Sequence, residues 1–104
     1  MVTKELEEDI WIFKPYYFTI SKIAEMTLPR KTHGMVCSKG SVYFIGGFYK
    51  DSPMCDIETM NISTREMDSA RNLPVPLSCV SVVEWRDELY IVGYQSEGVL
   101  VFNM

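Results

Sequence analysis

The residues that could do chemistry are few and lie far apart. His33 is the single histidine, and the three cysteines are Cys37, Cys55 and Cys79. A catalytic nucleophile needs a base within reach, and a zinc site needs closely spaced Cys or His ligands. The cysteines are odd in number, widely spaced and without a neighbouring histidine or basic cluster that would favour the thiolate. The sequence therefore predicts buried, unreactive cysteines, no disulfide framework and no zinc site.

Other groups that resemble functional motifs have structural explanations. The acidic pairs Glu7-Glu8 and Asp87-Glu88 fall in a polar tail and a hairpin turn, where carboxylates are solvated. The pair Gly46-Gly47 lacks the following glycine and helix of a phosphate-binding loop. His33 begins a short apolar stretch, and we expect a hydrogen-bonded structural histidine there. We predict no catalytic residue, no cofactor and no metal.

Size and charge limit the class of protein. The chain of 104 residues fits one domain, and its 47% hydrophobic and 23% charged residues are typical of a packed globular protein. The net charge of −4 provides no basic surface for nucleic acid or an anionic membrane. The uncharged run from Gly40 to Tyr49 is too short to span a membrane, and residues 1–9 are too acidic for a secretory signal. We expect an intracellular, cytoplasmic protein that binds neither nucleic acid nor membrane.

A short apolar run that ends in two glycines organises the rest of the chain. Residues 42–45 are β-branched or aromatic, as in a buried strand, and Gly46 and Gly47 allow positive φ or close backbone approach where that strand ends. Residues 11–47 align without a gap onto residues 58–94, with four identical pairs 47 residues apart: Pro29/Pro76, Val36/Val83, Tyr43/Tyr90 and Gly46/Gly93. A period of about 40 to 50 residues with four short strands per unit is typical of β-propeller blades.

Apolar runs and turn residues predict the remaining elements. We expect an acidic arm over residues 1–9 and proline-bearing connections at 25–31 and 70–78. The expected strands are 9–13, 16–23, 33–37, 42–45, 56–60, 65–68, 79–84, 89–92 and 99–102. The expected hairpin turns are 38–40 and 85–87, and the expected loops are 48–55 and 94–98.

Three segments resemble the kelch repeat, namely Met26-x-Leu28-Pro29-Arg30, then Val42 to Gly47, then Met60-Asn61-x-Ser63-Thr64-x-x-Met67. The resemblance covers residues 10–104 and implies an all-β fold, an incomplete kelch β-propeller of about two and a half four-stranded antiparallel blades. Residues 10–32 would end one blade, 33–78 would form a full blade, and 79–104 an incomplete one. The repeat-motif residues are Pro29, Arg30, Tyr43, Gly46, Gly47, Pro76, Tyr90 and Gly93.

The chain also departs from the kelch pattern. The usual tryptophan of the fourth strand is replaced by Ile20 and Met67, and the second double glycine is Gly93-Tyr94. The arginine after the proline is Arg30 in one repeat but Leu77 in the next. Such divergence is similar to that of truncated kelch-like reading frames of large DNA viruses, poxviruses in particular. That resemblance implies action on host proteins in the host cytoplasm.

The kelch resemblance implies protein binding rather than catalysis. Kelch-like propellers often follow a BTB domain and recruit substrates to a cullin-based ubiquitin ligase, so the resemblance implies this ancestral role. A non-functional remnant of a disrupted kelch-like gene is the alternative. A fragment of a propeller enzyme ranks third, because the oxidases and sialidases of similar plan need copper ligands or an arginine cluster that the sequence lacks.

One loop is the candidate contact surface for a partner protein. Connections between second and third strands, and between fourth and first strands, should open on one face of such a fold. The candidate binding loop comprises Phe48, Tyr49, Lys50, Asp51, Pro53 and Met54, because apolar residues in a loop favour a contact surface. The alternative, that Phe48 and Tyr49 fold back onto the blade, stays open.

Two physical consequences follow from this interpretation. An unclosed propeller would expose the apolar strands at residues 11–13 and 99–102, for which the sequence indicates no cap. We therefore expect a marginally stable chain that self-associates or adheres to another protein. If Gly46 or Gly47 takes a positive φ, alanine there should lower the free energy of unfolding by on the order of 1 kcal/mol or more.

Overall fold

The fold consists of short antiparallel strands. The computed structural model describes residues 9–94 and 100–103, and no helix occurs among them, so the expected all-β class is confirmed. The strands are β1 (Asp9–Lys14), β2 (Thr19–Glu25), β3 (Gly34–Ser38), β4 (Ser41–Ile45), β5 (Phe48–Tyr49), β6 (Ser52–Pro53), β7 (Ile57–Asn61), β8 (Met67–Ser69), β9 (Ser78–Trp85), β10 (Glu88–Tyr94) and β11 (Leu100–Asn103). Nothing in the described part of the chain is a helix long and apolar enough to cross a membrane.

The strands form four sheets. The largest has the order β3-β4-β7-β8 and lies within the segment 33–78. On its two sides along the chain are the hairpin β1-β2 and a three-stranded sheet of order β11-β10-β9. The fourth is the small hairpin β5-β6. All neighbours pair antiparallel, as a propeller blade requires, while the number and bounds of the blades stay predictions.

Strand register confirms the 47-residue repeat. In β3-β4, Val36 pairs with Tyr43, and 47 residues later Val83 pairs with Tyr90 in β9-β10. All five pairs of β3-β4 have such a counterpart. The first, Gly34 with Ile45, is matched by Ser81 with Val92, and the last, Ser38 with Ser41, is matched by Trp85 with Glu88. Since a slip of one residue would turn every side chain to the other face, this agreement means that the two hairpins present equivalent faces.

The hairpin β1-β2 repeats the outer half of the four-stranded sheet. Phe13 pairs with Ile20 as Met60 pairs with Met67, and Ile12 pairs with Ser21 as Thr59 pairs with Asp68. Trp11 with Lys22 likewise corresponds to Glu58 with Ser69. The hairpin β1-β2 is therefore the counterpart of β7-β8, one repeat earlier in the chain.

Both expected hairpin turns are confirmed. Lys39 and Gly40 join β3 to β4, and Arg86 and Asp87 join β9 to β10. All four residues have positive φ, between 50° and 80°. Two-residue turns with two positive φ values match the twist of the strands that they connect, which fixes the register of each hairpin.

Two hydrophobic cores lie on opposite faces of the four-stranded sheet. Side chains alternate along β4, so Val42 and Phe44 face the β1-β2 hairpin, while Tyr43 and Ile45 face the three-stranded sheet. The first core contains Met26, Phe44 and Met60, against which Ile10, Ile23, Ala24, Val42 and Met67 pack. The second contains Ile45, Ile57, Leu73, Leu77, Leu89 and Ile91, with Val36, Tyr43, Cys55, Ala70, Val80 and Val82 around it.

Several expected boundaries differ from the structure. Residues 15–18 form the turn between β1 and β2, so the second strand begins at Thr19 rather than Tyr16. The outer strand β8 begins at Met67 rather than Arg65, because Asn61 caps the preceding turn by accepting hydrogen bonds from the backbone of Ser63 and Thr64. The acidic arm, apart from Asp9, and the loop 95–98 lie outside the described residues.

Candidate protein-interaction surface

The candidate binding loop is a small β-hairpin rather than an irregular loop. Phe48 pairs with Pro53, and Tyr49 pairs with Ser52. Lys50 and Asp51 occupy the turn with φ of 49° and 64°, as a two-residue hairpin turn requires. The Lys50 ammonium lies 5.3 Å from the centre of the Tyr49 ring, within range of a cation–π contact. The tip of the hairpin is thus a defined surface with one aromatic ring and two opposite charges.

Burial divides the six candidate residues into three groups. Lys50 and Asp51 are exposed, while Phe48, Tyr49 and Pro53 are half-buried. Phe48 and Tyr49 are therefore each partly covered and retain accessible surface. Met54 is only 7% exposed, which makes it a packing residue rather than a contact residue. The surface open to a partner consists of the other five side chains.

Backbone hydrogen bonds join this hairpin to two other connections. Phe48 and Lys31 donate N–H groups to each other's carbonyl oxygens at 2.9 and 3.1 Å. Leu77 donates to the carbonyl of Met54 at 3.1 Å, and its own carbonyl accepts from Gly47 at 2.8 Å. Residues 26–32, 48–54 and 70–77 therefore meet at one place, which we call the loop surface. That these connections open on a common face stays a prediction, and the fourth of them, 94–98, lies outside the described residues apart from Tyr94.

The two glycines make this junction possible. Gly46 and Gly47 have φ of 60° and 110°, so the expected positive φ is confirmed at both. A Cβ atom on Gly46 would lie 2.8 Å from the carbonyl oxygen of Leu77, and one on Gly47 would lie 2.7 Å from that of Lys31. Both distances are too short for an unshifted side chain. The glycine pair thus lets β4 end against the other two connections.

A buried ion pair holds the first of these connections. Arg30 is 1% exposed, and its Nη2 lies 2.7 Å from Oε2 of Glu58 in β7. Its Nη1 donates to the carbonyl oxygens of Gly46 at 2.9 Å and Asp56 at 3.1 Å. Glu58 in turn accepts hydrogen bonds from the backbone N–H groups of Thr27 at 2.7 Å and Leu28 at 3.2 Å. Arg30 and Glu58 together fasten the segment 27–30 to the four-stranded sheet.

Arg30 is among the repeat-motif residues of the sequence, whereas Glu58 is not. The available signal was a charged residue inside a strand, two residues before Met60, so that alternation places its side chain on the same face as a buried methionine. Buried carboxylates are rare unless they are paired. Glu58 therefore had to have a partner, but its identity depends on the path of the connection after β2.

The other repeat-motif residues occupy packing positions. Tyr43 packs against the second core, while Pro29 and Tyr90 are half-buried and Pro76 is exposed. A Cβ atom on Gly93 would lie 2.9 Å from the Cβ of Leu77, so the single glycine of the second repeat also allows a close approach. Leu77 itself is fully buried, where an aliphatic side chain needs no ionic partner.

The loop surface is more basic than the chain as a whole. Its exposed charged side chains are Lys31, Lys50, Asp51 and Arg71, three cations and one anion. The full chain carries a net charge of −4. The prolines Pro74 and Pro76 and the half-exposed Val75 add apolar surface beside these charges. Protein contact surfaces combine an apolar centre with a polar rim, and the loop surface carries both kinds of group.

Groups that could do chemistry are not gathered into a site. Within residues 9–94 and 100–103, no three His, Cys, Asp or Glu side chains are placed to hold a metal ion. All three cysteines are free; Cys37 and Cys79 are exposed, so the expectation that they are buried is wrong. Cys55 is half-buried beside the second core.

His33 is a packing residue without the expected hydrogen bond at one nitrogen. Its ring lies 6.1 Å from that of Phe44, and its buried Nδ1 has no hydrogen-bond partner among the described residues. Burial, and then the positive charge of Arg30, lower the pKa of His33 from its ordinary value. Both effects favour the neutral imidazole.

Comparison with known proteins finds kelch-like proteins at low sequence identity. No protein-family model matches the chain. The chain is similar to Kelch-like protein 35 of Mus musculus, at 27% identity over 82% of its residues, and of Homo sapiens, at 24% over 86%. It is also similar to Kelch-like protein 6 of Homo sapiens, at 28% identity over 93% of its residues. The chain spans 15 to 16% of the length of these relatives. These similarities support the kelch resemblance of the sequence.

Proposed function

We propose that this chain is a non-catalytic protein-interaction module of kelch type and that the loop surface binds its partner. The observation that carries the proposal is the junction of three separate connections at residues 26–32, 48–54 and 70–77. Similarity to kelch-like proteins over most of the chain supports the same function. The rest of the fold then serves to hold these connections in place.

Rigidity of the loop surface supports binding. The four backbone hydrogen bonds described above, the buried Arg30–Glu58 pair and the cation–π contact at Lys50 restrain its main chain before any partner arrives. A restrained surface loses less conformational entropy on association than a flexible one. The exposed cations Lys31, Lys50 and Arg71 favour a partner segment that carries carboxylates, because complementary charge accelerates and orients association.

The test should change the hairpin tip without unfolding it. Lys50→Asn with Asp51→Gly keeps a two-residue turn with positive φ and removes both charges and the cation–π contact. Its thermal midpoint should stay within about 2 °C of the wild type, because turn residues of this kind suit the backbone already present. Affinity capture from cell lysate, followed by mass spectrometry, should show at least one protein retained by the wild type and lost from this variant.

Two further variants make the result specific. Phe48→Ala with Tyr49→Ala removes the aromatic part of the surface and should lose the same protein. Tyr16→Ser with Tyr17→Ser removes two exposed aromatic side chains from the turn after β1 and should retain it. Capture profiles that are the same for all four chains would contradict binding through the loop surface and would favour a remnant without a partner.

The proposal extends to cellular context through the kelch resemblance. We propose an origin from the substrate-recognition subunit of a cullin-based ubiquitin ligase, action in the cytoplasm and, for a viral source, host proteins as targets. Ubiquitination of the captured protein should then differ between cells with the wild type and cells with the Lys50→Asn, Asp51→Gly variant. Equal ubiquitination would remove the ligase connection and leave protein binding in place.

A further inference from the structure

The outer face of the three-stranded sheet is apolar and open. Val83 is 60% exposed, Val92 is 47% exposed, and Tyr90 lies half-buried between them. These three residues, with Ser81 and Val82, line an open hollow of about 370 Å³. Val101 lies on the same face, because it pairs with Tyr90, and it is exposed as well. We call the part of this face that β9 and β10 form the donor face.

The donor face repeats a face that is already packed inside the chain. Val83, Tyr90 and Val92 lie 47 residues after Val36, Tyr43 and Ile45, in hairpins of equal register. In the four-stranded sheet those earlier residues pack into the second core. Their packing partners there, on the inner face of the three-stranded sheet, are Val80, Val82, Leu89 and Ile91. The donor face thus has the side-chain arrangement of a packed face and lacks only the opposing sheet.

The opposing surface exists at the other end of the same chain. The residues 47 positions before Val80, Val82, Leu89 and Ile91 are His33, Met35, Val42 and Phe44. They line two adjoining hollows of about 330 and 160 Å³ between β1-β2 and the four-stranded sheet. The β1-β2 hairpin covers the half of this face near Met60 and Met67, whereas Met35 on β3 is 63% exposed. We call this second surface the acceptor groove.

We propose that the donor face of one chain docks in the acceptor groove of a second copy. The contact would reproduce between two chains the packing that the four-stranded and three-stranded sheets make within one chain. Since β1 is the counterpart of β7, and β10 the counterpart of β4, the contact would also place β1 of the second copy beside β10 of the first. There β1 would take the sheet edge that β11 occupies in the single chain. The occupant of both surfaces is therefore the same protein, joined head to tail.

Head-to-tail contact has a property that tests it. Because donor and acceptor are different surfaces, each copy retains one free surface after the first contact, and association proceeds to rings or open chains. Val83→Lys should remove the donor face, and Met35→Lys the acceptor groove, and both residues are exposed enough to be replaced without unfolding the chain. Each variant alone should be monomeric. An equimolar mixture should form a one-to-one dimer and nothing larger, because each variant provides the surface that the other lacks.

Analytical ultracentrifugation from about 5 to 100 µM would measure these outcomes, with circular dichroism to verify that each variant is folded. We expect wild-type oligomers whose apparent association constant falls at least tenfold in either single variant and returns in the mixture. Phe18→Lys, a change at an exposed apolar residue of the β1-β2 turn, should associate like the wild type. A monomeric wild type would overturn the proposal and assign both surfaces to other occupants. Single variants that still associate would overturn the proposal as well, and so would a mixture of the two variants that stays monomeric. Lys50 and Asp51 at the tip of the loop surface line none of these hollows, so the test of the proposed function at those two residues can fail or hold separately.

Discussion

Replacement of Glu58 by glutamine should destabilise the fold strongly, although it changes neither the size nor the shape of the side chain. Glu58 is 4% exposed, and its carboxylate lies 2.7 Å from the guanidinium of Arg30, which is 1% exposed. Removal of one charge from a buried pair typically costs about 3 to 5 kcal/mol, because the other charge is left without compensation. Arg30 keeps the carbonyl oxygens of Gly46 and Asp56 as acceptors, so we expect the lower value, about 3 kcal/mol.

Urea titration followed by far-UV circular dichroism would measure this loss. With a denaturant slope of about 2 kcal/mol per molar urea, typical for a small domain, the midpoint should fall by about 1.5 M. Glu25→Gln provides the matched control, since Glu25 contacts Lys22 in an exposed pair, and its loss should leave the midpoint unchanged within error.

A double-variant cycle tests whether the pair acts as a unit. Arg30→Met should also destabilise strongly, because Glu58 keeps two backbone N–H donors but loses its only nearby cation among the described residues. The chain with both changes should be more stable than the sum of the two losses predicts, by at least about 1 kcal/mol. Additive losses, or a Glu58→Gln midpoint equal to that of Glu25→Gln, would refute the assignment of this pair as the fastening of the loop surface.

Three further predictions concern single positions. Gly46→Ala and Gly47→Ala should each lower the thermal midpoint more than Gly40→Ala. All three glycines have positive φ, but a Cβ atom added at Gly40 would have no other atom within 4 Å, whereas one at Gly46 or Gly47 would clash. Equal shifts would contradict the close backbone approach. The lowered pKa of His33 means that its stabilising contribution is full above pH 6.5 and is lost as the pH falls below that value. His33→Gln should therefore flatten the decrease of the urea midpoint between pH 7 and 5, and an unchanged slope would argue against it. Leu77→Ala should cost about 2 to 5 kcal/mol in chemical unfolding because Leu77 is fully buried, and a loss below about 1 kcal/mol would contradict its place in the second core.

The sequence alone determined the features that depend on neighbouring residues. Gly46 and Gly47, after four β-branched or aromatic residues, indicated the end of β4 and a positive φ or close backbone approach there, and the two glycines show both. The recurrence of Tyr43 as Tyr90 indicated the 47-residue repeat, and the register of both hairpins agrees with it. Such features follow from backbone sterics and from side-chain alternation within a single hairpin, which a linear pattern records directly.

Only the tertiary structure decided which distant residues meet. In the sequence Glu58 is an unexpected charge in a strand, and only the path of the connection after β2 brings Arg30 to it. Met54 belongs to a loop in the sequence, and only the fold pairs its backbone with Leu77 and buries its side chain. Met35 and Val83 are both ordinary strand residues in the sequence, yet they line the two surfaces that the fold leaves open. The physical reason is that the burial of a side chain depends on contacts between sheets. The spacing of residues along one strand predicts which side chains share a face, but the packing of the next sheet decides whether that face is covered.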